Sequence, residues 1–338
     1  MNKKYGVLLS VIGVATVICI VLGLVFNKSE NEKQQGLSGV FDVSVEGTIA
    51  YVEFENGKAG IYLTDGRTDP VVQFPVEQTI LDISFSNDGK TLAYIVSDKE
   101  LDEGNGSEVR ILNTKTNSDE QVFLSQDIIT ELAFDPKNPA LLFYLQAGVF
   151  TNYSPITGKQ PHDFDVYSYD LTDKTQKRYT DLKKYSMRSL QVSETDASVF
   201  VQMDDDEKAQ SADDIFASKQ RIFQIPLDTP EEKSIVSNPA GEVDIYDFLV
   251  LPDREELVYQ AVGGTGANGV FEYELFSYNY ETYETKQLTR LKEYTAKPIL
   301  GPDGKIYFLV DRNFAGRQPD FHIYRMSKGG KDIEEIKL

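Results

Sequence analysis

The chain has 338 residues, 41% hydrophobic and 26% charged, which is globular material rather than disorder. Its formal charge of −20, with no stripe of clustered Lys and Arg to offset it, excludes binding to a nucleic-acid backbone. The one cysteine, Cys19, excludes an internal disulfide and a cysteine-ligated zinc site.

In chain order, residues 1–4 form a short tail, and 5–26 are free of charge and dense in Val, Ile and Leu. That length suits a helix spanning a ~30 Å hydrocarbon layer, so an uncleaved transmembrane anchor is expected. A cleaved signal peptide asks for a small-x-small exit, whereas this run ends Gly23-Leu24-Val25-Phe26. A lipoprotein asks for a small residue before its cysteine, and Ile18 stands there. Lys3 and Lys4 on one side nearly balance Lys28 and Lys33 on the other. Resemblance to signal-anchored exported proteins implies a single-pass cell-membrane protein with its folded domain outside the cytoplasm. Residues 27–36 are polar and read as a flexible linker.

From 37 to 338, short strands recur between turn signals, with no long stretch of helical period. The clearest unit begins Leu81-Asp82-Ile83-Ser84-Phe85, turns through Ser86-Asn87-Asp88-Gly89-Lys90, and continues Thr91-Leu92-Ala93-Tyr94. Two more strands follow, around 109–113 and 120–123, giving an order A to D. Strand B recurs at 48–54, 140–145, 198–203, 256–262 and 305–310. Strand C recurs near 61–63, 166–168, 222–224, 275–277 and 323–325. A repeat of this size predicts an all-β, six-bladed β-propeller of four-stranded antiparallel blades, preceded by the transmembrane helix.

The Phe85-Ser86-Asn87-Asp88-Gly89-Lys90-Thr91-Leu92-Ala93-Tyr94 phrase, echoed by Pro302-Asp303-Gly304-Lys305, resembles the WD-like repeat of TolB-type propellers. The resemblance covers about 290 residues as a pattern and implies a scaffold that binds proteins or polymers outside the cytoplasm. It carries over no catalytic residue.

In an antiparallel blade the B–C and D–A connections share one face, and the A–B and C–D turns share the other. The long insertions at 97–107, 146–163, 204–219, 263–272 and 311–320 all fall between B and C, which makes that face the expected binding face. Two of them share a signature: a base, Gln-Pro, an Asp and an aromatic before strand C. Phe150, Tyr153, Gln160, His162 and Phe164 from one, and Arg317, Gln318, Phe321 and His322 from the other, are the candidate partner-binding residues. In a six-bladed ring these loops would face each other and could line a pocket near the channel; the bland reading is that proline fixes loop re-entry.

Propeller lyases resembling this repeat hold a metal with His and Gln, but two histidines at different offsets fall short of a ligand set, and no metal or cofactor is expected. The run Asp204-Asp205-Asp206-Glu207, with Asp213 and Asp214, lacks calcium-loop spacing and reads as a solvated acidic loop. No Gly-x-Ser-x-Gly elbow or His-Glu-x-x-His pair occurs, and Gly263-Gly264-Thr265-Gly266 lacks the helix and Lys-Ser/Thr of a phosphate loop. The expected function is a non-catalytic, membrane-anchored scaffold for a protein or cell-envelope polymer. The alternative is a carbohydrate-active enzyme with two channel carboxylates, disfavoured by the absence of Trp.

Overall fold

The computed structural model describes the chain apart from residues 1–2, 27, 102–103, 153–157, 212–213, 215–216 and 239–242, and apart from the side chains of 3–4, 7–10 and 24–26. The chain begins with a helix, α1 (Lys3–Phe26). Among the described residues no helix is long and apolar enough to cross a membrane. The expected transmembrane anchor and single-pass membrane location are corrected on that finding.

The segment read as a flexible linker packs on the first sheet. Ser29 N donates to Glu32 Oε2 at 2.7 Å while Glu32 N donates to Ser29 Oγ at 3.2 Å, a reciprocal cap on the 3-10 turn Asn31–Lys33. Gly57, at φ +81°, lies so close to this turn that a Cβ would stand 2.3 Å from the Asn31 carbonyl oxygen. Only glycine fits both that backbone and that approach.

All the remaining long elements are strands. The first sheet is β1 (Gly36–Val43), β2 (Ile49–Glu55), β3 (Lys58–Leu63) and β4 (Val72–Gln73), in that order. The second is β5 (Gln78–Phe85), β6 (Thr91–Asp98), β7 (Ser107–Asn113) and β8 (Asp119–Ser125). The third is β9 (Ile129–Phe134), β10 (Leu141–Asn152), β11 (Lys159–Asp170) and β12 (Thr175–Arg178). The fourth is β13 (Met187–Val192), β14 (Ser198–Asp204), β15 (Gln220–Pro226) and β16 (Ser234–Ile235). The last sheet has eight strands: β17 (Phe248–Leu251), β18 (Glu256–Thr265), β19 (Phe271–Asn279), β20 (Thr285–Gln287), β21 (Tyr294–Leu300), β22 (Lys305–Asp311), β23 (Phe321–Ser327) and β24 (Glu334–Glu335).

The expectation of six separate four-stranded blades is therefore corrected. Four sheets are four-stranded blades, and the remaining strands form one eight-stranded sheet. The cause is local. The short β20 covers β19 only from Phe276 to Tyr278, leaving the start of β19 with free backbone groups. The chain entering β21 satisfies them: Tyr273 N donates to the Glu293 carbonyl at 2.9 Å, and Tyr273 pairs with Tyr294 in parallel. The argument that placed the two signature loops opposite each other in a six-bladed ring falls with the count.

The inner strands β1, β5, β9, β13, β17 and β21 neighbour one another in a closed circuit around a central channel. Second strands are buried on both faces, with β14 buried along its whole length, because each sheet packs between two others. That explains why strand B reads as an apolar run instead of an alternation. Apart from β8, the outermost strands are four residues or fewer, and β12 is exposed throughout, which blunts the free edges. The ring closes without strand exchange, since every sheet is built from consecutive strands. Phe41, Val43 and Tyr51 of the first sheet pack directly on Tyr307, Leu309 and Ile323 of the last.

Two insertions expected as loops begin and end as extensions of paired strands. β10 and β11 pair as far as Asn152↔Lys159, well beyond the reach of β9 and β12, and so form a two-stranded arm. β18 and β19 pair out to Thr265↔Phe271.

Candidate functional site: the central channel and its rim

Each inner strand sets a polar side chain at the channel: Asp82 on β5, Glu131 on β9, Ser189 on β13, Asp247 just before β17 and Lys297 on β21 each stand four residues before the A–B turn, and Asp42 on β1 stands two before it. Register breaks between Ile80 and Asp82, Arg188 and Gln191, and Ala296 and Ile299 re-aim Asp82, Ser189 and Lys297. Ser189 and Lys297 adopt φ +56° and +48°, a left-handed backbone that costs a non-glycine residue about 1 kcal/mol.

Polar side chains fasten each inner strand to the next. Asp42 Oδ2 accepts from Phe85 N at 2.6 Å, and Asp82 Oδ2 from Leu132 N at 3.1 Å. Glu131 Oε2 accepts from Leu190 N at 2.8 Å, and Gln191 Oε1 from Val250 N at 2.8 Å. Asp247 Oδ2 accepts from Lys297 N at 3.1 Å, and its Oδ1 from Ser189 Oγ at 2.9 Å. Between β21 and β1 the described residues show no such bond, and apolar packing closes the seam.

This collar floors a cavity of about 300 Å³ that reaches Glu194 and Pro252 at the A–B turns. Burial pushes the Asp42 carboxyl up to about 7 against the pull of the Phe85 and Val43 amides. Glu131 is likewise pushed up to about 7, first by burial and then by the charge of Asp82. Asp82 is raised by burial although Lys297 opposes it. Burial pulls the Lys297 ammonium down, but Asp82, Glu131 and Asp247 outweigh it and hold the group above its ordinary value. The Lys297 side chain is 34% exposed to the channel and that of Asp82 14%. Among the described residues no group of three or more His, Cys, Asp and Glu is placed to hold a metal ion.

On the side of the B–C connections the rim is aromatic. Tyr246, Tyr273, Tyr294 and Phe314 pack with ring centroids 4.6–5.6 Å apart. Tyr246 and Tyr294 precede collar residues Asp247 and Lys297 by one and three positions. Phe314 comes from the connection between β22 and β23.

Of the eight described residues among the nine expected to bind a partner, none lines the channel cavity. His162 is buried on the β10–β11 arm, its Nε2 2.9 Å from Thr151 Oγ1 and its Nδ1 2.8 Å from Asp163 Oδ1. Gln160 donates to the Tyr185 hydroxyl, Phe164 is in the core between the third and fourth sheets, and Phe150 packs against that core. Tyr153 lies outside the described residues. In the other segment, Arg317 is exposed and the Gln318 carbonyl accepts from Asn313 Nδ2 at 2.6 Å. Phe321 packs at the ring seam, 3.6 Å from where a Cβ on Gly39 would stand. His322 sits between Glu335 at 2.8 Å and Asp320 at 3.2 Å. The two segments lie in different sheets, with Phe164 and Phe321 in different core clusters. In the acidic run, Asp204 is buried and raised to about 6 by burial, then by Asp206, while Lys184 pairs with Asp206. Asp213 lies outside the described residues.

The collar went unnoticed in the sequence, although a signal existed. Asp82, Glu131 and Asp247 are lone acids four residues before successive A–B turns, and Asp42 is one two residues before its turn.

The sheets, circuit and channel define a β-propeller. Among solved structures the chain is similar to TolB from Acinetobacter baumannii, with a TM-score of 0.57 and 14% identity over 86% of this chain. The match spans 63% of the TolB chain. It is also similar to an oligogalacturonate lyase in complex with manganese (TM-score 0.54, 12% identity, 85% of this chain and 77% of that one). The propeller domain of the Trilobed protease from Pyrococcus furiosus, described as having an open velcro topology, matches at TM-score 0.51 and 13% identity, over 91% of this chain and 84% of that one. At these identities the likeness shows the fold, with TolB-like proteins among its neighbours. No family model matches the chain, and a search of the curated proteins finds no match.

Proposed function

We propose that this protein is a non-catalytic binding propeller that holds a protein or polymer partner on the face carrying the B–C connections. One observation carries the reading: Asp42, Asp82, Glu131 and Asp247 each spend a carboxylate oxygen on a backbone amide of the next inner strand. Acids so committed fasten the ring, and they are poorly free to share protons with a substrate. The elaborated β10–β11 arm and the 312–320 loop stand on the face left for recognition. A photoreactive side chain replacing Phe150 or Arg317 in the full chain should crosslink a partner in cells. The same group replacing Lys90, in an A–B turn, should give far less. Equal yields from both faces would remove the assignment of the face.

A carbohydrate-active enzyme is favoured by a single observation: Asp42 and Glu131, raised to about 7, offer carboxyls that hold a proton near neutral pH beside a cavity. Turnover of any polysaccharide by the full chain, abolished in Glu131→Gln, would replace the binding reading.

A further inference from the structure

The aromatic rim stands where the eight-stranded sheet is joined. Tyr273 and Tyr294 are the one parallel pair among the described residues, and their rings meet edge to face with centroids 5.2 Å apart. Phe314 stacks on Tyr294 at 4.6 Å and 15°, and its edge meets Tyr273 at 5.5 Å. One face of the Phe314 ring is thereby covered, yet the residue remains 38% exposed, so the outer face looks into solvent.

The loop presenting that ring is ordered by its own bonds. Asp311 Oδ1 accepts from both Asn313 N and Asp320 N, at 2.9 and 2.8 Å. Asn313 Nδ2 donates to the Gln318 carbonyl, and Gly316 N to the Asn313 carbonyl at 2.7 Å. An exposed aromatic on a braced loop has lost its conformational freedom already, which is what a contact surface requires.

The surroundings are acidic. Glu272 and Glu293 adjoin Tyr273 and Tyr294 in the chain, and Asp311 lies opposite Tyr294 on the next strand. Burial and then the crowding of Asp311, Glu272 and Glu274 hold the Glu293 carboxyl above its ordinary value, against the pull of Arg312. Three cations stand nearby, exposed Lys292 beside Glu293 in the chain among them. Arg312 is already taken by Glu335 at 2.6 Å and by the Tyr324 hydroxyl, and Arg188 is exposed on the neighbouring inner strand. Acids outnumber the cations around an open ring face, and a guanidinium or ammonium over such a face is attracted by the ring quadrupole as well as by the carboxylates.

We propose that the Tyr246, Tyr273, Tyr294 and Phe314 cluster is a docking site for an arginine or lysine side chain on an extended basic segment of a partner protein. The proposal rests on the binding reading above and names the partner's chemistry. Charge complementarity selects this occupant over a neutral glycan, which would gain the ring but nothing from the acids.

The test uses the full chain with fluorescein-labelled tetra-arginine, tetra-glutamate and tetraglycine peptides, read by anisotropy, and a neutral hexasaccharide, read by calorimetry. Tetra-arginine should bind, and tetra-glutamate and tetraglycine should not. Phe314→Ala, which leaves the net charge untouched and whose folding is checked by circular dichroism, should weaken tetra-arginine at least fivefold; Phe314→Tyr should restore it. Equal affinity for wild type and Phe314→Ala would mean diffuse attraction to an acidic chain and overturn the site, as would no binding of tetra-arginine at all. Hexasaccharide binding that is lost in Phe314→Ala would overturn the occupant. Partner crosslinking from Phe150 that persists unchanged in Phe314→Ala would leave the binding reading standing while this site fails.

Discussion

Lys297 Nζ lies 3.4 Å from Asp82 Oδ1, although 215 residues separate the two in the chain. Their meeting joins the second sheet to the last one across the channel, and it places one cation among four carboxylates. The relation is electrostatic and depends on the ring being closed.

Lys297→Met should therefore destabilise the chain in a way that depends on pH. Removing one partner leaves Asp82 partly buried without its counter-charge. Because channel water reaches Lys297, the expected loss is discounted to about 1–3 kcal/mol at pH 8. At pH 5 the loss should shrink, since neighbouring carboxyls then carry protons. Urea unfolding at both pH values reads the difference, and an equal loss at each would contradict the charge argument.

Glu131→Gln tests the opposite sign. The folded-state value of Glu131 is raised to about 7 by burial, so between the ordinary carboxylate range and pH 7 the folded chain binds more protons than the unfolded one. The stabilisation linked to this group is full below the ordinary carboxylate value and is lost as pH rises through about 7. Asp42 acts in the same direction. An amide cannot ionise, so the variant should lose stability less steeply than wild type between pH 5 and pH 8, by about 1–2 kcal/mol. Parallel pH profiles would show that Glu131 titrates normally in the fold.

Gln191 makes both bonds of its amide to one backbone residue, accepting from Val250 N at 2.8 Å and donating to Val250 O at 3.2 Å. Gln191→Ala should cost about 1–2 kcal/mol and speed hydrogen exchange at the Val250 amide. Gln191→Glu keeps the acceptor and should fall between. Unchanged exchange at Val250 would deny the fastening role.

The repeat was legible because local rules wrote it. Asp88-Gly89 and Asp303-Gly304 turn where a positive φ is needed, and Gly89 and Gly304 adopt +67° and +72°. The strands read from 48–54, 198–203 and 305–310 coincide with β2, β14 and β22 to within about a residue. The expected site was less legible. His162 and His322 drew notice as the two histidines of the chain, yet each is satisfied inside its own hairpin. The collar acids drew none, since a single Asp in an apolar strand looks like noise until its counterparts are superposed.

By itself the sequence determined the strand-turn repeat, the acidic surface and the exclusion of an internal disulfide, for these follow from residue type and short-range spacing. Only the tertiary structure decided that two meanders merge at Tyr273 and Tyr294, and that Asp42, Asp82, Glu131, Asp247 and Lys297 converge on one channel. Both depend on contacts between residues far apart in the chain, whose geometry is set by how whole sheets pack, and no local pattern encodes that.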